Sequence, residues 1–523
     1  MRKGLDAGEL QTGPCADGGS YVAEAFEKTV HRAIQLHGGY PDNWVPERSG
    51  TDHDVVVVGG GQSGVAVAFA LRRAGITRTA VIDAADEGGE GIWLNTARMN
   101  ALRSPKHLPG PELGIPELGF RAWYEARRGE AAYAGMQSIS RIDWADYLRW
   151  YRKMVGVSVR FGTRLEGVEP AEQGLRLRLS IGGRPKAEVC RKLVLATGFA
   201  GSGSVNMPGF IAQSLPADLY AHAEEPIDFG ALRGQRVAVF GAASSAFDAA
   251  AAALEKGAAS VDLFCRHDDL ERLSVMRMLY YPGSVEHFRL LPDAERWTIM
   301  SALCRRAQGP VPDTVRRAAR FDTFHLHLGA CDPILDTDGV AVTLRLGGHD
   351  TIFEFDFVIA GTGYRVDLSA RPELASIVDQ IALWRDRYQP PPAEAHDDLA
   401  RHPYLSPGFA FTEKRPGSAP YLKDIHFFGA GALLSNGRNP AEVSGFRHGI
   451  PQLVSAIGAD LFTADAAQHV ARALGPCQPI LTGQEYRDRI WTGRDLRAAK
   501  PAKNAVQDRR SEADEFRHDA MER

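Results

Sequence analysis

Residues 54–64 read Asp-Val-Val-Val-Val-Gly-Gly-Gly-Gln-Ser-Gly, and this stretch decides the fold. Val55 to Val58 are β-branched without polar alternation, the pattern of a strand buried on both faces of a parallel sheet. The run meets glycines directly, continues into an apolar helical segment from Val65 to Ala74, and is followed by a strand from Arg78 to Asp83. Strand, Gly-rich turn, helix and strand together form a dinucleotide-binding unit. In Gly59-x-Gly61-x-x-Gly64, Gly59 permits the tight turn and Gly61 leaves room for a pyrophosphate. Gly64 lets helix and strand pack closely. Gln62 and Ser63 stand at the helix start, where unpaired N–H groups and the helix dipole favour phosphate. Asp83 can accept hydrogen bonds from a ribose diol.

A second copy of the unit begins at Gln235. The strand Arg236 to Phe240 meets Gly241-x-Ala243-x-x-Ala246, an Ala-rich helix runs to Lys256, and a strand from Ser260 to Cys265 follows. Ala243 stands where the middle glycine usually sits and crowds the pyrophosphate by a methyl group. Ser244 and Ser245 can hydrogen-bond a phosphate at the helix start. Arg266, in place of an acid after the second strand, favours a 2′-phosphate and therefore NADPH over NADH.

Between the copies a strand ends in Leu193-Val-Leu-Ala-Thr197-Gly198, and beyond the second a strand from Phe355 ends at Gly361-Thr-Gly363-Tyr364. The parse is an α/β protein of two nested Rossmann-like domains, the second inserted in the first. Residues 1–50 form a helical extension centred on Tyr21 to His37, and residues 51–205 the first part of the FAD domain. Residues 206–350 form the inserted NADPH domain with a largely helical cover over 267–325, and 351–465 the second part of the FAD domain. Residues 466–523 make a C-terminal segment whose charged tail, from about 497, has the composition of a disordered chain.

Composition removes several classes. A net charge of −4 over 523 residues gives no reason to expect nucleic acid. No apolar stretch is long enough to span a bilayer, and the polar N-terminus does not read as a secretory signal, so the expectation is a cytoplasmic protein. Six scattered cysteines form no C-x-x-C pair, so neither a metal site nor a disulfide framework is indicated. The missing redox pair also argues against a disulfide reductase. A homo-oligomer stays open.

With both turns in place, the chain resembles the class B flavoprotein monooxygenases over roughly residues 52 to 465. Asp356-x-x-x-Ala360-Gly361-Thr362-Gly363-Tyr364 is similar to the signature of their N-hydroxylating group, with Gly361 replacing the usual Ala. Gly91-Ile-Trp93, Met99, Leu102, Arg103 and Ser104-Pro105 are similar to that family's FAD-proximal loop. The resemblance implies FAD in the first site and NADPH in the second. It also implies a small-molecule substrate and O2, with one oxygen atom inserted through a C4a-hydroperoxyflavin, most simply by N-hydroxylation of an amine or amino acid. Trp93, Met99, Thr197, Gly363, Tyr364 and Ser444 are then cofactor contacts. A helix from Pro451 to Ile457 turns its start toward the flavin.

Two departures narrow the substrate. There is no F-x-G-x-x-x-H-x-x-x-W/Y segment before the second turn, which argues against a Baeyer–Villiger enzyme and a typical S/N-oxygenating flavin monooxygenase. Ala97 and Arg98 stand where ornithine hydroxylases use lysine. No acid–base pair stands out; Arg103, Asn100 and Arg277 are the catalytic candidates. Arg98, Arg103, Lys106, Arg277, Arg289 and Arg438 are cations that can bind a substrate carboxylate. An NADPH oxidase-like enzyme, an S- or C-oxygenating enzyme and a non-catalytic FAD-binding subunit remain alternatives.

Overall fold

The computed structural model describes residues 18–306, 308–348 and 350–491. The expected tail from 497 lies outside these residues. The chain divides into two compact units, Met1–Ala466 and Ala467–Arg523. Both nucleotide-binding folds lie in the first.

The strand His53–Val58 sits inside a seven-stranded sheet. It pairs in parallel with Thr79–Ile82 on one side and with Arg184–Leu195 on the other. Val159–Arg160 and Ile425–Phe427 extend the parallel part. The long strand Arg184–Leu195 changes partners at Cys190: before it the chain pairs antiparallel with Gly174–Ile181, and from it onward parallel with His53–Val58. Val55, Val56 and Val57 are fully buried, as an unbroken β-branched run between two helical layers requires.

The second sheet is parallel throughout, in the order Phe324–His327, Ser260–Phe264, Arg236–Phe240, Phe357–Ala360, Tyr220–His222. A three-stranded antiparallel sheet, Ile334–Thr337, Val342–Arg345 and Ile352–Phe355, accompanies it. The sequence parse returned the chain to the first domain at residue 351. The register overturns that point, because Phe357 lies opposite Val237 and Ala360 opposite Phe240. The return comes after Ala360. The two passages between the folds, Gly203–Val205 and Tyr364–Val366, pair antiparallel as a two-stranded ribbon.

The N-terminal helix Gly18–Leu36 packs Val30, Ala33 and Ile34 into an aromatic cluster with Trp123, Tyr147, Trp150 and Tyr151 of its own chain. Between the second sheet's strands Ser260–Phe264 and Phe324–His327 lies the expected helical cover, with helices Pro282–His287, Asp293–Arg305 and Pro312–Ala319.

Candidate active site

The first Gly-rich turn is enforced by close packing. A Cβ built on Gly59, whose φ is +113°, would lie 2.4 Å from the Ala196 carbonyl oxygen, and one on Gly64 would lie 1.8 Å from the Gly59 oxygen. Gly61 is different: the nearest atom to a Cβ there is Gly91 Cα at 3.7 Å. It caps the helix Gln62–Arg73 in extended conformation without a side-chain cap, so the first-turn N–H groups have no acceptor within the helix. Gly61, Gln62, Gly91 and Trp93 line one cleft beside this helix start. An open glycine, free helix N–H groups and a cleft along them fit a dinucleotide pyrophosphate.

Asp83 ends the second strand as expected, and its carboxylate also shapes the turn. Oδ2 accepts from the Gly60 N–H at 2.6 Å and Oδ1 from the Ala85 N–H at 2.8 Å. The C-terminal loop closes the other side, where the Ala441 carbonyl accepts from Ser63 Oγ at 3.3 Å and Gln62 Nε2 at 3.4 Å. Thr197 follows Ala196 in the turn against Gly59. The helix expected from Pro451 starts earlier, at Phe446, and runs to Ala464 with Pro451 inside it.

The second turn repeats the geometry with tighter contacts. A Cβ on Gly241, φ +147°, would lie 2.4 Å from the Gly361 oxygen. The helix Ser244–Glu255 begins after Ala243 in extended conformation. Ser244 is not free for a phosphate, because its Oγ accepts from the Val311 N–H at 3.0 Å. Ser245 is half-buried, and Arg266 is exposed just beyond the strand Ser260–Phe264.

Gly363 and Tyr364 sit at the ribbon joining the two folds. The Gly363 carbonyl accepts from the Asn206 N–H at 2.8 Å. Tyr364 stacks on Phe199 at 5.7 Å, and its hydroxyl donates to Glu224 at 2.9 Å. Burial, then the Glu224 carboxylate, pushes this phenol well above its usual range.

The loop carrying the catalytic candidates is clamped to the second fold. Arg103 donates to Asp248 at 2.8 Å, and Asp248 also accepts from Thr314 Oγ1 at 2.6 Å and Arg317 at 3.4 Å. Arg317 donates to the Arg98 carbonyl at 2.6 Å, and Arg98 Nη2 to the Glu225 carbonyl at 2.9 Å. Lys106 is held by the carbonyls of Tyr133, Ala134 and Met136. Met99 is half-buried, and Asn100 is exposed with its carbonyl on the Arg141 N–H at 3.0 Å. Arg277 is exposed on the cover.

A cavity of about 350 Å³ lies elsewhere, at the amino ends of the first sheet, lined by Arg48, Lys192, Asp424 and Asp460 among others. Its charges satisfy one another, with Lys192 on Asp424 at 2.7 Å and on Asp460 at 2.5 Å. Ligands of open α/β sheets bind at the carboxyl ends of the strands, where both turns are.

A family model described as pyridine nucleotide-disulphide oxidoreductase matches residues 56–280. The FAD-dependent urate hydroxylase of Xanthomonas campestris pv. campestris is 41% identical over 457 residues, covering 86% of this chain and 94% of that protein. The chain belongs to the FAD-dependent hydroxylase family.

This FAD-dependent hydroxylase has the class B monooxygenase fold. Ornithine hydroxylase of Pseudomonas aeruginosa matches it with a TM-score of 0.60 at 16% identity, over 78% of this chain and 99% of that one. The cadaverine monooxygenase of Erwinia amylovora, whose structure holds FAD, matches with a TM-score of 0.59 at 14% identity, over 78% and 95%. The described cysteines of the hydroxylase, Cys190, Cys265, Cys304, Cys331 and Cys477, are all free. Its structure brings Gly59, Gly61, Gln62, Ser63, Asp83 and Trp93 around one turn, and Gly241, Ala243 and Gly361 around the other. Sequence reasoning missed Asp248, although a lone acid within the alanines of Ala246 to Ala253 is a signal. It is 3% exposed.

Proposed function

We propose that this flavin monooxygenase uses NADPH and O2 to hydroxylate a small planar heterocycle of the urate class. The observation that carries the reading is the 41% identity to a urate hydroxylase over nearly its whole length. Bound FAD would supply the two-electron chemistry and the activation of oxygen. The chain's own residues position it. The first-turn N–H groups and Gly61 would hold the pyrophosphate, Trp93 would border the cofactor, and Asp83 would meet the ribose. Gly241, Ala243 and Ser245 would hold the nicotinamide dinucleotide, with Arg266 on its 2′-phosphate. The Arg103–Asp248 clamp would keep the loop beside the flavin against the second fold.

A second reading is N-hydroxylation of an amine, which the Asp356–Tyr364 signature favours. One experiment separates the two. The FAD-loaded enzyme is supplied with NADPH, oxygen and either urate, ornithine, lysine or cadaverine, and products are scored by mass for one added oxygen atom. Oxygen-dependent hydroxylation of urate supports the first reading. Product from an amine alone replaces it, and NADPH consumption with peroxide but no product makes the enzyme an oxidase.

A further inference from the structure

The cations around the cleft differ in what they already hold. Arg98, Arg103 and Lys106 are engaged by carbonyls or by Asp248. Arg289 and Arg438 are half-buried, and the Nε–H of each is buried without an acceptor among the described residues. They approach one seam from opposite sides. The Phe288 ring packs on Gly437, where a Cβ would lie 2.5 Å from it, so Arg289 and Arg438 follow directly on the two residues in contact. Asn436, on the other side of Gly437, contributes a third buried donor without an acceptor, its Nδ2. Gln452 Nε2 donates to Asn436 Oδ1 at 3.4 Å, which sets the orientation of that amide.

Arg438 is held from two sides. Its Nη2 donates to Ser444 Oγ at 2.7 Å, and its guanidinium lies over the Tyr280 ring at 4.9 Å. Buried donors without acceptors are uncommon in folded proteins, and each requires an explanation. Three along one seam, two of them on guanidiniums, suit a ligand rich in acceptors and negatively charged. The Tyr280 ring is 44% exposed and offers that ligand a flat apolar surface. The same loop carries the Ala441 carbonyl that meets Gln62 and Ser63, so the seam adjoins the first dinucleotide turn.

We propose that Arg289, Asn436 and Arg438 anchor the substrate, and that the substrate is a planar heterocyclic anion whose oxygens and ring nitrogens accept from these donors while its face lies against Tyr280. The proposal rests on the urate-class reading for the identity of the heterocycle. Glu442 lies in the same loop and can accept a ring N–H; burial raises its carboxyl above the usual range, and Arg438 opposes that rise. An aliphatic amino acid would offer a carboxylate but no face for Tyr280.

The test titrates the FAD-loaded enzyme with urate and follows the flavin absorbance. Arg438→Gln is expected to weaken urate binding by about tenfold or more, since it removes one partner of a charged contact. Hypoxanthine, planar but uncharged near neutral pH, should weaken far less. Urate affinity within about twofold of the unaltered enzyme, in Arg438→Gln with normal FAD content, overturns the anchor and leaves the urate reading intact. If the unaltered enzyme ignores urate yet binds another planar anion that Arg438→Gln loses, the anchor stands and the urate reading fails. No response to any planar anion overturns both. Should Arg438→Gln lose its flavin, phenylglyoxal labelling of the unaltered enzyme decides. Saturating urate is expected to shield Arg438 and Arg289, read by peptide mass, and equal labelling with and without urate overturns the anchor.

Discussion

Gly361 and Ala246 pack in direct contact, so that a Cβ built on Gly361 would fall 2.6 Å from both Cα and Cβ of Ala246. The two residues are departures that fit one another. Ala246 closes the second Gly-rich turn where the motif begins with glycines, and Gly361 replaces the alanine of the N-hydroxylating signature. Gly361 has an ordinary φ, so its requirement is space and not conformation. Gly361→Ala is therefore expected to destabilise by about 1–3 kcal/mol through overpacking. Ala246→Gly in the same chain should recover most of that loss, a coupling that urea unfolding of the two single variants and the double variant measures. Simple additivity of the two changes would show that the contact does not govern the turn.

Asp248 and Arg103 make a second junction between the folds, and their burial differs. The Asp248 side chain is 4% exposed and that of Arg103 39%. Removing Asp248 strands Arg103, Arg317 and Thr314 Oγ1 together, whereas removing Arg103 leaves Asp248 with two partners. Asp248→Ala should cost about 3–5 kcal/mol as the loss of one partner in a buried charge network. Arg103→Ala should cost under about 1 kcal/mol. Thermal unfolding of both variants checks the order, and equal shifts would mean that Asp248 is no hub.

What the sequence disclosed follows from how local each cause is. Val55–Val58 with Gly59, Gly61 and Gly64 is self-contained, since the strand, the turn and the helix start lie within eleven residues. The apolar strand Phe357–Ala360 reads alike whichever sheet it joins. Its membership is set by the register with Val237 and Phe240, about 120 residues away. Ser244 looked available for a phosphate because nothing nearby competes for its hydroxyl; the Val311 N–H that takes it comes from 67 residues on. The Asp248 partner Arg103 is 145 residues distant. Pro451 suggested a helix start because proline favours the first helical position, yet the helix begins at Phe446.

Arg266 gives the nucleotide preference a direct test. It is exposed beyond the end of Ser260–Phe264, where an acid would accept from a ribose diol and a guanidinium suits a 2′-phosphate. Arg266→Ala is expected to raise the KM for NADPH by about tenfold or more, with the KM for NADH nearly unchanged. Steady-state flavin reduction with each nucleotide measures the split. A parallel loss for both would place Arg266 outside the 2′-phosphate site.

Two buried histidines set an acid limit on the fold. His402 meets the Gly431 carbonyl at 3.1 Å and His426 the Gly408 carbonyl at 2.8 Å, and burial is the largest cause lowering each imidazole to about 4. The unfolded chain titrates these groups near 6.5. Below that pH the unfolded state binds protons that the folded state refuses, so stability falls as pH drops from about 6.5 toward about 4 and then levels. Each histidine contributes up to roughly 3 kcal/mol to that fall. Urea unfolding across pH 4 to 7 should show the slope, and His426→Gln should remove about half of it. A flat profile in this window would mean that both rings stay protonated inside the fold.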